Sequence, residues 1–71
     1  MATIYIQNNT SGVIHVRVTL TGSGTQGFDD IQPGQTESWD RDYWEVAFVL
    51  RDDNANTEEF VVKPGQNYVV G

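Results

Sequence analysis

The chain contains no cysteine, so neither a disulfide nor a thiolate-bound metal can staple its fold. Basic residues are almost as scarce: Arg17, Arg41, Arg51 and Lys63 stand scattered against ten Asp and Glu side chains. The resulting net charge of −6 argues against sequence-independent nucleic-acid binding, which needs clustered Lys and Arg to release counterions from a polyanion. The same charge repels anionic lipid, and no apolar stretch approaches the roughly 20 residues of a membrane-spanning helix. The segment from Met1 to Gln7 has no basic region followed by an apolar one. No secretory signal is therefore read there, and a cytoplasmic location is the expectation. Apolar residues at helical spacing are nearly absent. A chain this short buries only about 60% of the surface its unfolded form exposes, so stability must come from packing, strand pairing or association with another copy.

What the sequence has in abundance is alternation. Ile4 and Ile6 alternate with polar neighbours, Asn8 to Gly12 supplies turn chemistry, and Val13 to Leu20 alternates again, which reads as a β-hairpin. The overlapping sequons at Asn8 and Asn9 read as part of that polar turn. A glycine-rich loop from Thr21 to Gly27 leads to a short strand, Phe28 to Ile31. Gln32-Pro33-Gly34-Gln35 then matches a type II turn, with proline presetting φ at the second position and glycine accepting positive φ at the third. Further strands follow over Thr36 to Asp40, Tyr43 to Arg51 and Thr57 to Val62. After a second turn, Lys63-Pro64-Gly65-Gln66, comes a last strand, Asn67 to Val70.

Seven short strands with frequent turns predict one all-β domain spanning residues 1–71, a small antiparallel β-sandwich or partly open barrel. An internal duplication is also suggested. Val16 to Leu20 aligns with Val46 to Leu50 at a spacing of 30, and Pro33-Gly34-Gln35 aligns with Pro64-Gly65-Gln66 one residue out of step. The expected inward face carries Ile4, Ile6, Ile14, Val16, Val18, Leu20, Phe28, Ile31, Trp44, Val46, Phe48, Leu50, Phe60, Val62, Tyr68 and Val70. An edge strand at either terminus offers a means of self-association.

Chemistry-bearing patterns are few. Gly22 to Gly27 spells G-x-G-x-x-G, but no helix follows to receive a pyrophosphate, and Asp29 and Asp30 would repel one. Asp52 to Glu59 places oxygen ligands at alternate positions, yet position six is Thr57 and position twelve is Lys63, so this is no EF-hand. A solvated loop is the simpler reading. The single histidine, His15, lies mid-strand beside Arg17, and no serine sits in a nucleophile elbow, so an enzyme is not expected and no cofactor is implied.

The remaining constellation is aromatic. Alternation places Tyr5, His15, Arg17, Tyr43 and Glu45 opposite the core, with Trp39 close to Tyr43 across Asp40-Arg41-Asp42. A neutral sugar stacks its C–H face on a ring and gives its hydroxyls to carboxylates or Arg. The expected ligand-binding set is therefore Trp39, Tyr43, Asp40, Arg41, Asp42 and Glu45, in a lectin-like carbohydrate-binding module. The same face would equally serve as a homo-oligomer interface in a self-assembling protein, since interfaces also enrich Tyr, Trp and Arg. The expected partners are thus a glycan or further copies of the chain, with no nucleic acid and no membrane. The segments Ile4 to Thr10 and Ile31 to Trp39 are similar to the openings of many small β-sandwich proteins, including fungal lectin-like and pore-forming-like ones. The similarity lies in generic strand and turn residues, and it assigns no residue a role.

Overall fold

A computed structural model describes residues 2–24 and 26–71; Met1 and Thr25 of the glycine-rich loop lie outside the described residues. Seven strands form two sheets, and no helix occurs among the described residues. The strands are β1 (Ala2–Asn8), β2 (Ile14–Val18), β3 (Asp29–Ile31), β4 (Thr36–Arg41), β5 (Glu45–Arg51), β6 (Thr57–Val62) and β7 (Asn67–Val70). One sheet has the order β4-β1-β7 and the other β3-β2-β5-β6. The result is a small β-sandwich, not a closed barrel.

The expected β1–β2 hairpin does not form. β1 pairs antiparallel with β4 and parallel with β7, while β2 belongs to the other sheet. Alternation reveals which side of a strand is apolar; it is silent on which strand lies beside it. A parallel neighbour must be distant in sequence, as β7 is, because a tight turn can join only antiparallel strands. The crossing after β1 is organised by Asn8, which is fully buried. Its Nδ2 donates to the carbonyls of Gly12 and Ile31, both at 2.8 Å, and its Oδ1 accepts from Thr10 N at 2.8 Å and Thr10 Oγ1 at 2.7 Å.

Both Pro-Gly turns dock on β1 through equivalent atoms. Gly34 N donates to Asn8 O and Gly65 N to Thr3 O, while Gln35 O accepts from Asn8 N and Gln66 O from Tyr5 N. The two glycines have φ of 81° and 85°, the left-handed region that a type II turn requires at its third position. β2-β3-β4 and β5-β6-β7 are thus equivalent units. Each forms a hairpin in the larger sheet, then crosses through a Pro-Gly turn into the smaller one. A shift of 31 residues superposes Ile31 on Val62, Val16 on Ala47 and Val18 on Val49, all of them buried. The 30-residue strand alignment read from sequence was therefore the one out of step.

That one-residue slip inverts β5. The buried positions are Glu45, Ala47 and Val49, whereas Val46 and Phe48 are half-buried and Trp44 and Leu50 are exposed on the opposite side. β2 has His15 and Arg17 on one face and Ile14, Val16 and Val18 on the other, so its orientation is fixed. β5 is apolar on both faces and follows β2, pairing Val49 with Val16 and Ala47 with Val18. The interior already holds Ile4, Ile6, Ile14 and Ile31. At close-packed density it accommodates Ala and Val at these positions more readily than Phe and Leu. Two other expected core residues also face out. Phe28 is three positions from buried Ile31, which an extended chain places on opposite sides, and Leu20 lies beyond the end of β2. Phe60 and Tyr68 pack on the core half-buried, with ring centroids 5.7 Å apart.

Candidate binding surface

The six residues expected to bind a ligand lie at the end of β4 (Trp39, Asp40 and Arg41), in the turn that follows (Asp42 and Tyr43) and at the first position of β5 (Glu45), and the structure divides them into a rigid base and an exposed tip. Trp39 lies beside Ile4 on the inner side of β4 and packs half-buried against the core. It is not on the exposed face with Tyr43. Asp40 points outward and accepts a hydrogen bond from Thr3 Oγ1 at 3.0 Å.

Arg41 is committed to backbone. Its Nε donates to Thr19 O at 2.9 Å, one terminal nitrogen to Val18 O at 3.1 Å and the other to Asp40 O at 2.8 Å. The guanidinium therefore ties the smaller sheet to the end of β2 in the larger one. Glu45, expected on the outer face, is 4% exposed. Its Oε1 accepts from Thr19 Oγ1 at 2.7 Å, and its Oε2 accepts from Thr21 N at 2.9 Å and Thr21 Oγ1 at 2.8 Å. Burial works against ionisation, but these bonds and the nearby Arg41 charge outweigh it and hold the carboxyl below the usual glutamate range. Both side chains are engaged within the fold and are not free for a sugar hydroxyl.

Above this base, Asp42, Tyr43 and Trp44 project into solvent, with Tyr43 68% and Trp44 66% exposed. Trp44 was missed by sequence reasoning because it shares parity with Val46, Phe48 and Leu50, which were read as core. Glu45, of the opposite parity, reinforced that reading; the available signal was the 31-residue spacing of the two Pro-Gly turns, which sets Val16 on Ala47 and Val18 on Val49.

A second polar arrangement lies on the outer face of the larger sheet. His15 bridges two carboxylates, with Nδ1 2.6 Å from Asp30 Oδ1 and Nε2 3.0 Å from Asp52 Oδ1. Both nitrogens donate in the imidazolium form. The bonds to Asp30 and then Asp52 outweigh partial desolvation and raise the His15 pKa above its ordinary 6.5. The sign follows: the stabilisation is complete below the unfolded-state pKa and is lost as pH rises through the higher folded-state value. The urea midpoint is expected to fall between pH 6 and pH 9 in the wild type, and to change less in His15→Asn. An equal fall in both proteins would assign the dependence to other groups.

The acidic loop after β5 is likewise internally occupied. Arg51 pairs with Asp53 at 2.8 Å and Glu58 at 2.9 Å, and Asp52 faces His15. Among the described residues, no three His, Asp or Glu side chains converge as a metal site. Comparison with protein-family models, curated proteins and solved structures finds no match to this chain.

Proposed function

We propose that this protein is a non-enzymatic binding module that presents Tyr43 and Trp44 to a carbohydrate. The observation supporting this reading is the pair of consecutive, two-thirds exposed aromatic rings on a turn braced beneath by Arg41 and Glu45. A braced turn loses little conformational freedom on binding, which is where weak ligands otherwise lose most of their affinity. The rings offer apolar faces to sugar C–H groups, and the exposed Asp40 and Asp42 carboxylates can accept from hydroxyls. The ligand set is thereby narrowed to Tyr43, Trp44, Asp40 and Asp42, with Arg41 and Glu45 as its support and Trp39 as packing.

A glycan array probed with wild type, Trp44→Ala and Trp39→Ala tests the assignment. Trp44→Ala is expected to lose at least about tenfold in signal while retaining the far-UV CD spectrum and melting temperature, since exposed substitutions usually change stability by under about 0.5 kcal/mol. Trp39→Ala is expected to lower the melting temperature instead, because a half-buried ring leaves the core. Absence of any bound glycan for the wild type, or an unchanged profile for Trp44→Ala, removes the carbohydrate reading.

A further inference from the structure

The outer face of the larger sheet has an apolar centre that the chain itself does not cover. Val46, Phe48 and Leu50 of β5 and Val61 of β6 share this face, with Leu50 40% and Val61 65% exposed. A strand apolar on both faces is the pattern of one buried on both sides. The middle row of the face is Arg17, Phe48 and Glu59, on three adjacent strands. The Arg17 guanidinium carbon lies 4.6 Å from the centroid of the Phe48 ring. Among the described residues neither Arg17 nor Glu59 has an ion-pair partner. Two strand spacings, about 9.6 Å, separate their backbones, and the Phe48 ring lies between them.

We infer that this face is a homodimer interface whose occupant is a second copy of the chain, related by a twofold axis parallel to β5 and passing above Phe48. Such an axis reverses the order of the strands across the interface. Arg17 then stands over the partner's Glu59, Glu59 stands over the partner's Arg17, and the two Phe48 rings meet at the centre. An axis perpendicular to the strands would set Arg17 on Arg17 and Glu59 on Glu59, so the charges select between the two face-to-face arrangements. An open depression of about 410 Å³, lined by Phe48, Leu50, Thr57 and Glu59 among others, leaves room for side chains of the two copies to interdigitate.

The scale of the contact sets the expected strength. With the axis over β5, the strands that overlap are β2, β5 and β6, and β3 lies outside the contact. Three strands about 4.8 Å apart and roughly 20 Å long give a footprint near 290 Å² per copy, about a fifteenth of the 4318 Å² that one chain exposes. That is about a third of the roughly 800 Å² per partner of a standard stable interface. A weak dimer dissociating at on the order of 100 µM is therefore expected. Each copy carries a net charge of −6, so the measurement belongs at about 0.15 M salt, where repulsion beyond about 8 Å is largely screened. This inference does not rest on the carbohydrate reading, and its variants leave the β4–β5 turn unchanged.

Sedimentation of the full chain from about 5 to 500 µM, a range bracketing that affinity, is expected to show a reversible monomer–dimer equilibrium. Arg17→Glu alone and Glu59→Arg alone each replace two attractions with two repulsions, weakening the dimer by about tenfold or more. The double exchange, Arg17→Glu with Glu59→Arg, restores the attraction in reversed polarity and is expected to recover dimerisation to within about threefold of wild type. Far-UV CD of each variant establishes that it is folded. A wild type that stays monomeric throughout, or a double exchange no better than either single variant, overturns the interface.

Discussion

Asn8→Ala is expected to cost about 3 to 5 kcal/mol of folding stability, a large share of the roughly 4 to 11 kcal/mol that a chain of this size has at about 0.05 to 0.15 kcal/mol per residue. The magnitude comes from what the substitution leaves behind. The Gly12 and Ile31 carbonyls lose a donor, and Thr10 N and Oγ1 lose an acceptor, in a place where Asn8 itself is fully buried. Each buried, unsatisfied group costs about 1 to 3 kcal/mol, and the sum is reduced because the freed Thr10 hydroxyl can still donate to Gly12 O, at 2.9 Å in the intact protein. Asn8→Asp is expected to be worse. It keeps the volume and the acceptor but turns an anionic oxygen toward two carbonyl oxygens. Urea denaturation with far-UV CD measures both, and a wild-type midpoint for Asn8→Ala would mean that this amide does not hold the crossing.

The second large effect concerns which face of β5 is inside. Val49→Asp is expected to leave the chain unfolded at 25 °C, because an unpaired carboxylate in the core costs several kcal/mol, comparable to the whole stability of the domain. Leu50→Asp, one residue along, is expected to stay folded within about 1 kcal/mol of wild type, its side chain being on the outer face. The pair is informative because sequence patterning alone makes the opposite forecast. Dispersed amide signals in a ¹H–¹⁵N spectrum for Leu50→Asp and their collapse for Val49→Asp are the expected outcome. The reverse result would place Phe48 and Leu50 in the core and remove the apolar face on which the dimer depends.

These two sites differ in how visible they were beforehand. The seven strands and both Pro-Gly turns were legible because they depend on local chemistry: period-two polarity, proline's fixed φ and glycine's access to positive φ. β2 could be oriented from its own residues, since only one of its faces is apolar. β5 could not, since hydrophobicity was available on both sides and the larger side chains misled. The expected site was divided by the fold: Trp39, Arg41 and Glu45 are engaged within it, whereas Asp40, Asp42 and Tyr43 stay exposed. Arg41 and Glu45 were noticed for their chemistry, but a hydrogen-bonding group serves a backbone carbonyl or a threonine as readily as a ligand.

The amino-acid order by itself determined that the chain is all strand, where each strand begins and ends to within about two residues, and that its turns recur in two similar units. Only the tertiary structure decided that β1 leaves β2 to lie between β4 and β7, that β5 shows its larger side chains to solvent, and that Tyr43 and Trp44 stand clear of a base made by Arg41 and Glu45. The division has a physical cause. Backbone preference is settled by neighbours along the chain, whereas the choice of face and partner is settled by which side chains fill a shared interior and which buried polar groups find their hydrogen bonds there.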